Sequence, residues 1–283
     1  MNNKLSAAMC VYGGDDAACF DAAFNSIIRQ TVPPDEIVLT VDGPIPHSIE
    51  EVIGRYESML SDSPIHLKTV RLKENKGHGE ARRIGLKNCT NTWVALMDSD
   101  DISIPERFKK QLAFVADNPD VSVVGGFNTE FVTNRADPTD TSREMGRRTV
   151  PAFDEDIKAY MKKRCPMNQG TVLLNKSDVE EVGGYLDWYC DEDYYLWIRL
   201  ALAGKTFGNI QETLVYFRVG EEMYQRRGGL KYFQSEAKLQ QYMLSKRMIG
   251  FWRYAMNVGV RFIVQVVVPN GIRGWMYQRF ARD

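Results

Sequence analysis

Residues 93–105 read Trp-Val-Ala-Leu-Met-Asp-Ser-Asp-Asp-Ile-Ser-Ile-Pro, an apolar run that stops abruptly at three carboxylates, Asp98, Asp100 and Asp101. A short, continuous apolar segment bounded by polar residues suits a strand buried on both faces. Pro105 carries the fixed φ that a first helical turn accepts, so a helix is expected over 106–117. A second Val-rich strand, 121–127, follows it. The same order recurs upstream. Residues 6–12 read as a strand, Gly13-Gly14-Asp15-Asp16 as a polar turn, and Phe20, Phe24, Ile27 and Ile28 return at helical spacing. A β-branched strand at 36–41 ends at Asp42-Gly43-Pro44, a strong turn signal. Helix is expected at 49–60, strand at 66–72 and helix again at 79–88. Strands separated by helices imply right-handed crossovers and a mainly parallel, doubly wound α/β sheet. Ligands of such sheets bind beyond the carboxyl ends of the strands, where Asp42 and Asp98 both fall.

Composition narrows the function classes. The chain has 283 residues, 44% hydrophobic and 26% charged, with a formal net charge of −1, so it has no general attraction to nucleic acid or anionic membrane. Any such attraction must be local. Five widely spaced cysteines without a CxxC pair point to a reducing compartment, and three scattered histidines lack zinc-site spacing. No signal peptide is expected, and no apolar run reaches spanning length.

Three acids within four residues repel one another unless something neutralises them. Hard divalent cations prefer carboxylate oxygens, and Mg²⁺ is usually held by one or two of them plus substrate phosphates. Asp98 and Asp100 lie two apart, so on extended backbone both carboxylates point to one side. Turn capping by Asp is the competing reading of the same residues.

The surrounding segments carry more information than the D-x-D spacing. "MCVYGGDD" (9–16), "TVDGP" (40–44) and "NKGHGEARRIGLKNCTNTWVALMDSDD" (75–101) occur in that order, followed by "GTVLLNKS" (170–177), "VGGY" (182–185), "DEDYYLWIRL" (191–200) and "RVGEEMYQRRGG" (218–229). Together they resemble the inverting family 2 glycosyltransferases of GT-A fold over most of the first 230 residues. Among these, the chain is most similar to bacterial transferases that build capsule, exopolysaccharide or O-antigen repeat units. Similar proteins often carry His where this chain has Gln169.

The resemblance implies roles. Asp42 would bind uracil, Tyr12 would pack on the base, and Arg82 would contact the base or the phosphates. Asp100 is implied as principal ligand of Mn²⁺ or Mg²⁺, with Asp98 beside the ribose and diphosphate as the second ligand. Asp101 either supports the metal or caps the following turn. Asp193 is implied as the catalytic base, and Glu192, Asn168 and Gln169 would meet the acceptor. Acidic capping of the helix after residue 190 is the bland reading of Asp191, Glu192 and Asp193. Arg218, Arg226 and Arg227 bracket a Gly-rich loop suited to closing over phosphate.

Residues 128–149 are polar and read as a mobile loop or short excursion. The expected domains are a transferase unit over 1–227, with a nucleotide-sugar half at 1–127 and an acceptor half at 150–227, then a helical segment over 228–283. In that last segment Lys246, Arg247, Arg253, Arg261, Arg273, Arg279 and Arg282 alternate with Trp, Phe and Tyr, which suits the headgroup interface of an anionic bilayer. The expected activity is metal-dependent transfer from a UDP-sugar to a polyprenyl-diphosphate-linked glycan at the cytoplasmic face of a bacterial membrane. The alternatives are a non-catalytic nucleotide-sugar-binding or scaffolding protein and a nucleotidyltransferase. The second lacks support, because "YGGDD" has no phosphate-loop lysine.

Overall fold

A computed structural model describes residues 4–220 and 229–268. The first half matches the expected alternation closely: β1 (Leu5–Tyr12), α1 (Ala17–Ile28), β2 (Glu36–Asp42), α2 (His47–Leu60), β3 (His66–Arg71), α3 (His78–Asn88) and β4 (Trp93–Met97). β1 to β4 form a parallel block in the order β3-β2-β1-β4. Every residue of β2 and β4 is buried, which is why both read as unbroken apolar or β-branched runs. The side chain of Asp16 caps α1 by accepting from the amides of Ala18 and Cys19, both at 2.9 Å. Phe20, Phe24 and Ile27 then lie at 0% exposure against the sheet.

Beyond β4 the sheet becomes mixed. The elements are β5 (Ile102–Ser103), α4 (Arg107–Asp117), β6 (Val121–Val132), β7 (Glu144–Arg148), α5 (Asp154–Met161), β8 (Leu173–Asn175), α6 (Lys176–Glu181), α7 (Glu192–Leu202) and β9 (Thr206–Val219). β8 inserts antiparallel between β4 and β6, β6 pairs parallel with β9, and β5 closes the edge antiparallel to β9. α6 is capped by Asn175, and α7 stops before Gly204, whose φ of +77° favours glycine.

The expected loop over 128–149 is a correction. β6 runs on to Val132, and β7 returns beside it with a register shift at Glu130/Phe131. Asn128, Thr129 and Glu130 are polar yet buried, because β7 and β9 flank the strand on both sides. Thr129, for example, pairs its hydroxyl with Thr213 at 2.8 Å. Polarity there marks an interior flanked by strands, not solvent.

Two helices, α8 (Leu230–Ser245) and α9 (Phe251–Phe262), and a π-helical turn (Ile263–Val267) end the described chain. Leu239, Met243 and Ile249 are buried in the same apolar cluster as Trp197 and Leu200 of α7, so α8 is part of that core. The outer face of α9 is different. Phe251 is 63% and Trp252 83% exposed, and Met256, Val260, Phe262 and Ile263 are exposed with them.

Candidate active site

The acidic turn after β4 lies at the carboxyl edge of the parallel block. Asp98 is mostly buried, and its Oδ1 accepts from Arg82 Nη2 at 2.7 Å. Asp101 is fully buried. Its Oδ1 accepts from the Arg218 amide at 2.8 Å and its Oδ2 has no partner. Asp101 therefore ties the turn to β9 and caps no helix; the N-cap of α4 is Glu106, without a side-chain bond. A Cβ built on Gly170 would stand 3.1 Å from Asp98 Oδ2 and 3.4 Å from Asp101 Oδ2. The two free carboxylate oxygens thus converge beside a residue that has no side chain.

Asp100 is the exposed member of the turn. Crowding by surrounding atoms, then the charges of Asp98 and Asp15, push its carboxyl up to about 6. Burial, then the charges of Asp100 and Asp98, push Asp101 far above the ordinary carboxylate range. Asp98 goes the other way: burial opposes its charge, but Arg82 and His78 outweigh it and lower the pKa. A hard cation suits this donor set, because it would relieve the Asp98–Asp100–Asp101 repulsion and satisfy the orphaned Asp101 oxygen. Among the described residues no three His, Cys, Asp or Glu side chains form a preformed cage. Two carboxylates are what an ion shared with a diphosphate requires.

Arg82, on α3, joins this turn to a second acidic run. Its Nη1 donates to Glu192 Oε1 at 2.9 Å while Nη2 holds Asp98. Burial disfavours the guanidinium charge, yet Asp98 and Glu192 more than offset that and raise its pKa. Glu192 and Asp193 open α7. The preceding Asp191 makes no side-chain cap bond, and Glu192 is committed to Arg82. Asp191 and Glu192 are therefore not spent on capping. Asp193 Oδ1 accepts from the Tyr194 amide at 2.6 Å, and desolvation raises its pKa against the lowering pull of Arg82. Cys190 has φ +61°, an uncommon conformation that turns the chain immediately before this run.

A cleft of ≈ 210 Å³ brings together Arg82, Asp98, Asn168, Gln169, Glu192 and Asp193, all singled out from the sequence. Asn168 is buried; its side-chain amide donates to the carbonyls of Gly126 and Arg148, and its Oδ1 is without a partner. Gln169 donates to Tyr185 Oη at 2.5 Å. Tyr12 and Asp42 lie outside that lining, along the same strand edge. Tyr12 is 40% exposed, so it is no core tyrosine. Asp42 is buried and accepts from the amides of Lys76 and Gly77 at 2.7 and 3.0 Å, shaping the loop that leads into α3. Arg218 spends Nε, Nη1 and Nη2 on Asp100 O, Thr133 Oγ1 and Pro138 O, which makes it a brace for the acidic turn and leaves it poorly placed to clasp phosphate. Arg226 and Arg227 lie outside the described residues.

Several participants escaped the sequence reading. Asp15 accepts from Ser99 Oγ at 2.8 Å and from the Tyr12 amide at 3.1 Å, adding a fourth carboxylate to the edge. Arg107 is wholly buried beneath the turn, donating to Leu96 O at 2.7 Å; burial lowers its pKa to about 9 while Asp98 and Asp101 oppose that fall. His78, beside Arg82, has its pKa lowered to about 4 chiefly by that arginine and so is neutral at pH 7. "GGDD" offered a signal for Asp15; nothing local distinguishes Arg107 from a solvated helix residue.

Comparison with known proteins bears on family and fold. The family profile described as glycosyl transferase family 2 matches residues 6–182. The chain is 33% identical over 279 residues to UDP-Gal:alpha-D-GlcNAc-diphosphoundecaprenol beta-1,3-galactosyltransferase of Escherichia coli, spanning 99% of this chain and 97% of that protein. It is 30% identical over 275 residues to the amylovoran biosynthesis glycosyltransferase AmsE of Erwinia amylovora, spanning 97% and 98%. Among solved structures, S. aureus TarS 1-349 in complex with UDP-GlcNAc superposes with a TM-score of 0.63 at 15% identity, covering 92% of this chain and 72% of that one. Mannosyltransferase PcManGT from Pyrobaculum calidifontis, in complex with GDP-Man and Mn²⁺, gives 0.62 at 14% identity, covering 95% and 71%. These structural likenesses bear on the GT-A fold alone. With more than half of its length inside the profile, and relatives at 30% identity or above along nearly its whole course, this chain belongs to glycosyl transferase family 2.

Proposed function

We propose that the chain is an inverting transferase that moves a sugar from a UDP-sugar to a lipid-linked oligosaccharide carrying a diphosphate, in the assembly of a bacterial surface polysaccharide. One observation carries the reading. Asp98 and Asp101 turn free oxygens toward Gly170, while Asp193 stands across Arg82 in the same cleft. A divalent ion, Mn²⁺ or Mg²⁺, would be held by Asp98 with Asp101 or the exposed Asp100, and when bound supplies Lewis-acid stabilisation of the leaving diphosphate.

The chain's own groups would do the rest. Asp193 takes the proton of the acceptor hydroxyl, whose oxygen bonds to the anomeric carbon. The bond from that carbon to the phosphate oxygen breaks, and UDP leaves with the electron pair. A buried carboxylate with a raised pKa is a better base than an exposed one. Arg82 orients Asp98 and Glu192, and its charge keeps the two acidic runs from repelling each other. Tyr12 offers an exposed ring to the base, next to the loop that Asp42 holds in shape. Asn168 and Gln169 would face the acceptor sugar, and Arg226 and Arg227 the phosphates.

Residues 1–227 would form the transferase unit and 228–283 the membrane-associating segment. The exposed Phe251 and Trp252 on α9, with Arg247 and Arg253 nearby in sequence, support a peripheral seat on anionic lipid at the cytoplasmic face. Among the described residues no helix is long and apolar enough to cross a membrane.

The test is release of UDP by purified protein from a panel of UDP- and GDP-sugars, with and without EDTA. Metal-dependent release from a UDP-sugar is expected. Tight donor binding without any release would make the chain a binder and refute the transferase reading.

A further inference from the structure

A second cavity, of ≈ 320 Å³, adjoins the first across Asp193; Arg148, Cys190 and Asp193 line both. Four bases face it: Arg148, Lys163, Arg164 and Arg261. Its acids are Asp191, Asp193 and Glu236. Glu236 is committed, since Arg261 Nε stands 2.9 Å from its Oε2 and Gln265 donates to the same oxygen. Asp191 is 5% exposed and its Oδ2 has no partner. Burial, with Glu236 and Asp193 nearby, raises that carboxyl to about 8, so at neutral pH it carries a proton and acts as a donor. Lys163 and Arg164 pair with no carboxylate among the described residues. The cavity therefore holds uncompensated positive charge and a buried acid that is protonated, a combination suited to an anion.

Its position says which anion. The hydroxyl that Asp193 deprotonates lies where the two cavities meet, so the remainder of the acceptor has this second cavity as its polar exit. The far wall is α9 and the turn after it, through Val260, Arg261 and Val264. The same helix carries the exposed Phe251 and Trp252. A molecule reaching from Asp193 toward a lipid surface at α9 would thus pass the bases of this cavity and the exposed aromatic residues of the helix.

We propose that this second cavity receives the diphosphate of the lipid-linked acceptor, gripped by Lys163 and Arg164 beside Arg148 and Arg261, so that the sugar being extended is the one attached directly to the diphosphate. This rests on the reading above that the acceptor carries a diphosphate. It adds where that group sits and limits acceptors to those with a single sugar between the diphosphate and the reacting hydroxyl.

The experiment uses the full chain with UDP and Mg²⁺ at saturating concentration, so that the donor site is filled. Farnesyl diphosphate in detergent is then titrated by calorimetry. The wild type should bind it, and Lys163→Ala/Arg164→Ala should bind at least ten-fold more weakly with UDP affinity unchanged. Lys163→Glu alone, at an exposed position, should move in the same direction and guards against a folding artefact. Equal binding of farnesyl diphosphate by wild type and both variants overturns the pocket assignment alone. Absence of binding by the wild type, with UDP binding intact, overturns the diphosphate-linked acceptor and this inference with it. Weaker pelleting of the variants with phosphatidylglycerol vesicles, combined with unchanged farnesyl diphosphate affinity, would assign the bases to lipid headgroups and also overturn the proposal.

Discussion

Two acidic runs face each other across Arg82, and they are put to different uses. Asp98-Ser99-Asp100-Asp101 follows a buried strand, whereas Asp191-Glu192-Asp193 opens a helix. In the first, Arg82 keeps Asp98 ionised and free oxygens gather at a gap beside Gly170. In the second, Glu192 takes the arginine, and burial raises Asp191 and Asp193 toward their protonated forms. Under the proposed reading, similar stretches of acid would become a cation grip and a base through what surrounds them. A charge kept by a buried arginine is available for a metal, while an acid set among desolvating atoms becomes avid for a proton.

The largest effect should come from breaking the second run at its base. Asp193→Asn should lower transfer by about 10²–10⁴-fold, with UDP affinity near normal by calorimetry. Lost UDP binding would mean the residue is structural. In the wild type the acid limb of the pH–rate profile should lie above the ordinary carboxylate range, because raised pKa means the base is freed only at higher pH.

Next is the link between the runs. Arg82→Ala leaves two mostly buried carboxylates facing each other, and removal of one partner of a buried pair costs about 3–5 kcal/mol. A fall in urea midpoint of the matching size is expected. An unchanged midpoint would show that the two runs do not depend on each other.

A smaller, selective change tests the first run. Gly170→Ala places a methyl group against Asp98 Oδ2 and Asp101 Oδ2. Affinity for UDP in the presence of Mn²⁺ should fall on the order of 10–100-fold, while affinity for UDP in EDTA stays level. A parallel loss in both conditions would place the cation elsewhere.

A last effect is on how stability depends on pH. Asp191 ordinarily ionises near 3.8 and is raised to about 8 in the fold. The folded state then holds a proton that the unfolded state releases, so stability falls as pH climbs through that window and is level above it. Asp191→Asn removes this dependence, and its gain in Tm should be larger at pH 8.5 than at pH 5. An equal gain at both would assign the effect to packing.

Local pattern carried the amino-terminal half. β1 to β4 and α1 to α4 fall within a residue or two of where the local pattern puts them, because the helices each bury an apolar stripe and β2 and β4 are buried throughout. It failed where tertiary neighbours reverse the meaning of a residue. The end of β6 and the whole of β7 read as loop because Asn128, Thr129 and Glu130 are polar residues covered by adjacent strands. The two-residue β5 and the long β9 were missed because their pairing is made across the chain. The same holds within the site. Asp98, Glu192, Asp193 and Arg82 stood out as candidates, yet the fork that joins Arg82 to Glu192 spans 110 residues of sequence.

By itself, the order of strands, helices and acidic turns determined a doubly wound fold with carboxylates along one sheet edge, since burial periodicity and turn chemistry are local. Which oxygens stayed free, which acids kept their protons and which arginine became a brace were decided only when distant segments packed. Solvation and charge pairing depend on neighbours in space, and in this chain those neighbours are rarely neighbours in sequence.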